Sequence, residues 1–314
     1  QLQLEMALLL LSTLLVGIAS SYELTARNKY CALLMDEPEQ LAPYLASFSV
    51  VFNVGKLVGP PLGGWLLALG GATTALALDA ATYLLPIATI VWLLVPNRQA
   101  EERNGATATP TGLGEAWDSC GPILRHVLRF TAIACLVIFC HPALAPLMAR
   151  QVLDGSPQAL GTFTSVLAAG SISGGMLLQR NSLWLSHRPG LLLGGCTVLT
   201  GLAQLGMASS QGRIAGLVAT FAIGAGTAGL LAGANLISQV GAPQRIRGRM
   251  AGMGQIAFLG GGGLSGLLAA ALTMHWGLKP TLALLGGVGL VLGLLELIRR
   301  GRTRLTPAAV VRSA

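Results

Sequence analysis

Charged side chains are scarce in this chain. Asp, Glu, Lys and Arg make up 10% of its 314 residues, well under the roughly 25% that covers a water-soluble domain. The charges it has are clustered: segments 41–69 and 190–208 hold one charge or none, whereas 98–103 and 299–304 are dense with them. Aromatic residues are also few, at 5%, and no basic stripe is interleaved with them. The net charge of +8 therefore lacks the continuous phosphate-facing surface that nucleic acid requires, and no nucleic-acid partner is expected. The five cysteines, Cys31, Cys120, Cys135, Cys140 and Cys196, are odd in number and scattered. They form no CxxC and no Cys/His ligand spacing, which argues against a disulfide framework and a zinc site. They read as small apolar side chains. There is no GxxxxGK[ST] loop, so direct use of ATP is not expected, and Arg247-Gly248-Arg249 is too short for phosphate-loop chemistry. No Ser/His/Asp or metal constellation emerges. Neither an enzyme nor a bound cofactor or metal is expected. The first residue is Gln1, and no basic segment with a small-residue cleavage site precedes the first apolar run. No signal peptide is read, and the sequence is expected to be cut at its front end.

What the chain does have is long apolar runs. It is 53% hydrophobic, with a mean hydropathy of +0.68. About 18 apolar residues in a helix cross the hydrocarbon core of a bilayer. Nine such runs follow one another, at about 6–22, 41–69, 72–95, 127–149, 158–178, 190–208, 213–240, 249–273 and 281–298. They are rich in Gly, Ala and Leu, a composition that suits close helix packing in lipid. The fold class that follows is all-α, a polytopic transmembrane helix bundle.

The basic residues orient it. Sixteen of the 20 Lys and Arg residues lie in the segments that follow the odd-numbered runs. Only Arg150, Arg213 and Lys279 follow even-numbered ones, and Lys56 lies inside a run. This asymmetry places the odd-numbered connections and the C-terminus in the cytoplasm. The first run then starts on the outer side. A chain that begins in the cytoplasm would need an odd number of helices upstream, and three would bring nine to twelve. The organisation expected is a partial N-terminal bundle at 1–95, a cytoplasmic linker at 96–126, a six-helix bundle at 127–300 and a cytoplasmic tail at 301–314. The linker is polar at first and then amphipathic (Trp117, Ile123, Leu124, Val127, Leu128), which suits a segment lying on the membrane face. A weak internal repeat supports duplicated halves. Pro38 to Gly64 parallels Pro243 to Gly266, and each copy passes through a Gly-rich helix to an outer turn near Gly71 or Gly277.

The second run contains Gly55-Lys56-Leu57-Val58-Gly59-Pro60-Pro61-Leu62-Gly63-Gly64. This resembles the GxxxGPxxGG motif in the fifth helix of major facilitator superfamily antiporters, with Ala46 where a further Gly is common. The surroundings, from Gly17 through Asp36-Glu37-Pro38 to Tyr83, resemble the branch that holds the enterobactin exporter and the transmembrane secretion effectors. Arg247-Gly248-Arg249, with the glycines that follow, and the Gln179 to Pro189 loop fit the same branch. The match covers nearly the whole chain, as helices four to twelve of a twelve-helix transporter. The family's first three helices, with its main signature loop, have no counterpart. Asp79 stands where relatives carry Asn, and the Pro common near Tyr22 and Glu23 is missing. The resemblance implies a secondary active transporter, a proton-coupled exporter of a small siderophore-like or drug-like molecule, monomeric in the inner or plasma membrane. Its rivals are a nutrient importer or facilitator of the same fold and a truncated fragment or scaffold that does not transport.

The residues themselves suggest where such work would be done. Gly55, Gly59 and Gly63 share one helix face at i, i+4 and i+8, Gly64 follows, and the groove they leave lets a neighbouring backbone approach. Pro60 removes a backbone hydrogen bond and bends the helix. The resemblance assigns this motif to gating; ordinary packing is the plain alternative. Lys56 falls mid-span, about 20 Å from either end at 1.5 Å per residue. An unpaired cation there costs roughly 2.5–3.5 kcal/mol, so it faces an interior or a watery cavity. Asp79 is a candidate for coupling or for a helix-end hydrogen bond. His141, beside Pro142, could relay protons or be a structural hydrogen-bonding residue. Glu23, four residues before Arg27, suits an edge ion pair or a coupling role.

Overall fold

The computed structural model describes residues 38–93, 113–153, 156–181, 187–241 and 247–301, with a few isolated positions (11, 12, 15, 16, 19, 184 and 185). Among the described residues every long regular element is a helix. In chain order these are α1 (Pro38–Thr82), α2 (Leu84–Leu93), α3 (Leu113–Ser119), α4 (Pro122–Ile138) and α5 (His141–Val152), then α6 (Pro157–Arg180), α7 (Pro189–Ser209), α8 (Arg213–Gly241), α9 (Arg247–Trp276) and α10 (Leu278–Arg300). Two units separate by contact, one of Gln1–Phe52 with Leu78–Pro110 and one of Asn53–Ala77 with Thr111–Ala314. Seven stretches among the described residues are long and apolar enough to cross a membrane. The polytopic helical class expected from the sequence is what the chain adopts. The expected first run, at 6–22, lies outside the described residues apart from isolated helical positions.

The expected second and third runs join in α1 and α2. Residues Pro61–Trp92 form one apolar stretch, but it turns at Gly71, where φ is 70° and ψ −177°. Gly277, between α9 and α10, repeats that backbone conformation with φ 83° and ψ 171°. These are the only positive-φ residues described. A side chain is strained in that region and glycine is not. The two turns anticipated from the repeat are therefore built the same way. A second break separates α1 from α2 at Tyr83. Pro86 cannot donate to the carbonyl four residues earlier, and the Thr82 hydroxyl closes the end of α1 by donating to the Asp79 carbonyl at 2.7 Å.

The amphipathic stretch expected on the membrane face does something else. Pro122 opens α4 at its first turn, where the missing N–H costs nothing. Leu124, Val127, Leu128 and Thr131 then recur at helical spacing, and all are buried in the bundle. The apolar stripe thus faces protein. Trp117 of α3 packs against the same core. Arg125 ties α3 down by donating from Nε to the Trp117 carbonyl at 3.0 Å and from Nη2 to the Asp118 carbonyl at 2.7 Å. The Arg129 guanidinium lies 5.2 Å above the Trp117 ring.

Two apolar clusters fill the six-spanning part. One centres on Val127, Ala134, Cys135, Leu193 and Ile237, the other on Cys140, Met148, Phe163, Met207, Ile223 and Leu282. Cys120, Cys135 and Cys140 are buried and Cys196 half-buried, all as free thiols. Where α6 meets α8 the backbones touch. A Cβ on Gly170 or Gly174 would fall onto the carbonyls of Phe221 or Ala225, and one on Gly224 onto that of Leu167. In lipid, where apolar surface gains little by leaving its solvent, such contact is what holds helices together.

Candidate functional site

The expected fourth span is a single apolar stretch, Pro122–Val152, yet it is not one helix. It stops at Ile138 and resumes at His141, with Phe139 and Cys140 between. The cause is Pro142 in the first turn of α5. Lacking an N–H, it cannot bond the carbonyl of Ile138 four residues earlier. In a bilayer a freed carbonyl needs another donor, and Gln204 of α7 supplies it, from Nε2 at 2.8 Å. The same nitrogen lies 3.3 Å from Cys140 Sγ. Gln204 is fully buried, so this bond has no competition from water. Beyond the break, Gln151 Nε2 donates to the Met207 carbonyl at 3.1 Å. Two glutamines in opposite directions therefore fix both halves of the broken helix to α7.

The break opens on a cavity of about 330 Å³ lined by Phe139, His141, Thr164, Leu167, Ala168, Ser171, Thr227, Ala228, Leu231 and Phe258. Four elements contribute: the α4–α5 junction, α6, α8 and α9. Phe139 stands edge-on to both other rings, 4.6 Å from His141 and 4.5 Å from Phe258 by centroid, an arrangement that ring quadrupoles favour. The hydroxyls turn inward on their own helices. Thr164 donates to the Leu160 carbonyl at 2.9 Å, Ser171 to Leu167 at 3.0 Å and Thr227 to Ile223 at 2.7 Å. His141 is 6% exposed, and its Nδ1 has no hydrogen-bond partner among the described residues. No charged side chain lines the cavity.

Of the residues singled out from sequence, His141 is the one in this lining. Glu23 lies outside the described residues, as do the side chains of Lys56 and Pro60, whose backbone belongs to α1. Gly55 and Gly59 are exposed, Gly63 half-buried and Gly64 buried. Among the described residues a Cβ on Gly55, Gly59 or Gly63 would meet nothing within 4 Å. Asp79 is exposed. Sequence reasoning missed Gln204, the cavity hydroxyls, Phe139 and Phe258. It also passed over Glu296, a buried acid within the α10 span. Both Glu296 carboxylate oxygens accept from His126 Nε2 of α4, at 2.9 and 3.0 Å. The signals were present: a proline inside a span demands a donor on a neighbouring helix, and an acid inside a span demands a partner.

Comparison with known proteins agrees with this architecture. The multidrug efflux pump Tap of Mycolicibacterium fortuitum is 27% identical over 258 residues, which is 78% of this chain and 60% of the pump. The chain thus spans less than two thirds of that relative's length. The profile of the Major Facilitator Superfamily matches residues 4–265. With helices that cross a membrane repeatedly and a match over most of its length, this chain belongs to the major facilitator superfamily, a family of transporters and not of enzymes.

Proposed function

We propose that the protein is a secondary active exporter of a small, amphiphilic, drug-like or siderophore-like molecule, working by alternating access with protons as the coupling ion. One observation carries the reading: the α4–α5 helix breaks at the wall of a cavity in the six-spanning part. Discontinuous spanning helices in transporters line the substrate site, because irregular backbone at membrane depth survives only where protein or a cavity surrounds it. The efflux activity named for the relative supports the outward direction. The glutamine ties to α7 favour movement of the six-spanning part as one body, with gating left to the Gly55–Gly64 motif and coupling to Lys56, Asp79, His141 or Glu23. In this reading the protein is a monomer of the inner or plasma membrane, with its arginine-rich connections and C-terminus in the cytoplasm.

The test is uptake of a fluorescent lipophilic dye into everted vesicles, the equivalent of export from cells. Uptake should require the protein and collapse when an uncoupler dissipates the pH gradient. Dye movement that persists after uncoupling would overturn proton coupling. Movement only in the opposite direction would favour an importer, and none at all would favour a non-transporting fragment or scaffold.

A further inference from the structure

The cavity walls specify more than a volume. Each hydroxyl that lines it has a single hydrogen, and all three spend theirs on carbonyls: Thr164 on Leu160, Ser171 on Leu167 and Thr227 on Ile223. What they still offer is oxygen lone pairs, which accept hydrogen bonds and do not donate them. His141 adds a buried Nδ1 with no protein partner among the described residues. That atom is an acceptor whenever the ring carries its hydrogen on Nε2. With the ring hydrogen on Nε2, the lining therefore presents hydroxyl and Nδ1 acceptors, the one imidazole N–H, and no charged side chain. Beside it stand the edge-to-face rings of Phe139 and Phe258. A buried polar atom left unmatched costs about 1–3 kcal/mol, so an acceptor-lined apolar pocket selects for a molecule that brings donors. A carboxylate or phosphate brings only more acceptors, and its charge would find no partner here.

We infer that this cavity binds an aromatic compound bearing O–H or N–H donors, with its ring against Phe139 and Phe258 and a donor on His141, and that it rejects anions. This names the substrate class of the site on which the proposed export rests. Binding is nonetheless measurable without transport, so the two fail separately.

The experiment measures equilibrium binding of three bicyclic probes to the protein in lipid nanodiscs, with empty nanodiscs as the blank. The probes are 2-naphthol, which carries a donor, 2-methoxynaphthalene, which does not, and 2-naphthoate, an anion. We expect 2-naphthol to bind about tenfold more tightly than 2-methoxynaphthalene, the ratio that one matched buried hydrogen bond supplies. Binding of 2-naphthoate should not rise above the blank. His141→Phe, which keeps a ring at the position, should reduce 2-naphthol to the level of the methoxy probe, and His141→Gln should restore part of the preference. Equal binding of 2-naphthol and 2-methoxynaphthalene by the unaltered protein would overturn the inference, as would a donor preference that survives in His141→Phe with its melting temperature unchanged. If His141→Phe does not fold, Ser171→Ala with Thr227→Ala reports instead. These remove acceptors and leave the rings, so a donor preference unchanged in that pair would overturn it too. A donor preference that depends on His141, in vesicles that move no dye, would uphold this inference and sink the export reading.

Discussion

At Pro142 the chain lacks one backbone N–H, and at Gln204 a neighbouring helix provides the replacement. This exchange positions His141, because the interruption at Phe139 and Cys140 leaves the Ile138 carbonyl to be satisfied from α7. Gln204→Leu is close in size and removes the donor. It should lower stability by about 1–3 kcal/mol, the range for a buried carbonyl left unpaired, and thermal unfolding in micelles reads it directly. A melting temperature equal to that of the unaltered protein would mean that the break is held by something else. The His126–Glu296 pair behaves differently on removal. Taking away His126 alone leaves a buried carboxylate without its donor, at a cost on the order of 3 kcal/mol. Taking away both groups leaves only apolar surface. His126→Leu should therefore be less stable than the double variant His126→Leu/Glu296→Leu, and the reverse order in the same melting assay would show that the pair contributes little. His141 was legible in the sequence because a histidine beside a proline inside an apolar run is conspicuous. Ser171 and Thr227 were not, since hydroxyls in spanning helices are common and usually bond to their own backbone, as these do.

Among the elements, the α6–α8 crossing is where glycine matters most. Gly170, Gly174 and Gly224 stand where a side chain would meet backbone, whereas Gly175 meets nothing within 4 Å. Gly224→Val should force the helices apart and destabilise by roughly 1–3 kcal/mol, as overpacking does, while Gly175→Val should leave the melting temperature unchanged. Similar effects at both positions would argue that composition, and not contact, dictates the tolerance. The spacing of Gly170 and Gly174 at i, i+4 announced a packing face. It could not announce the partner, because α6 carries several glycines and serines and any of its faces could have been the close one. The α4 start was misjudged for a related reason. An amphipathic stripe reads the same whether it lies on lipid headgroups or on a protein core, and only the neighbours supplied by α8, α9 and α10 decided between them. The turns at Gly71 and Gly277 could be anticipated, since each glycine falls between two apolar runs of spanning length.

On the scale of the whole molecule, the proposed transport cycle needs a coupling group as well as a cavity. Lys56 is one of the candidates that sequence singles out, for the cost of holding a cation at mid-span keeps it near water or a counter-charge. Lys56→Ala should abolish proton-linked dye uptake in everted vesicles while the amount of protein in the membrane stays normal; uptake at the unaltered rate would remove Lys56 from the mechanism. In the proposed cycle the six-spanning part moves as one body. α7 bonds both halves of the broken helix, and α10 bonds the start of α4 through Glu296. Substrate-driven changes should thus be sought between bodies and not within this one.

Hydrophobic run length and the placement of arginines determined, before any coordinates, that this chain crosses a membrane many times, because the bilayer rewards the same composition wherever the helices end up. The glycine motif and its surroundings likewise pointed to the family. The broken helix, the acceptor-lined cavity and the buried glutamate's partner were decided only by tertiary structure. Each depends on a hydrogen bond or ring contact between residues far apart in sequence, and the sequence states which atoms need partners without stating which helix will bring them.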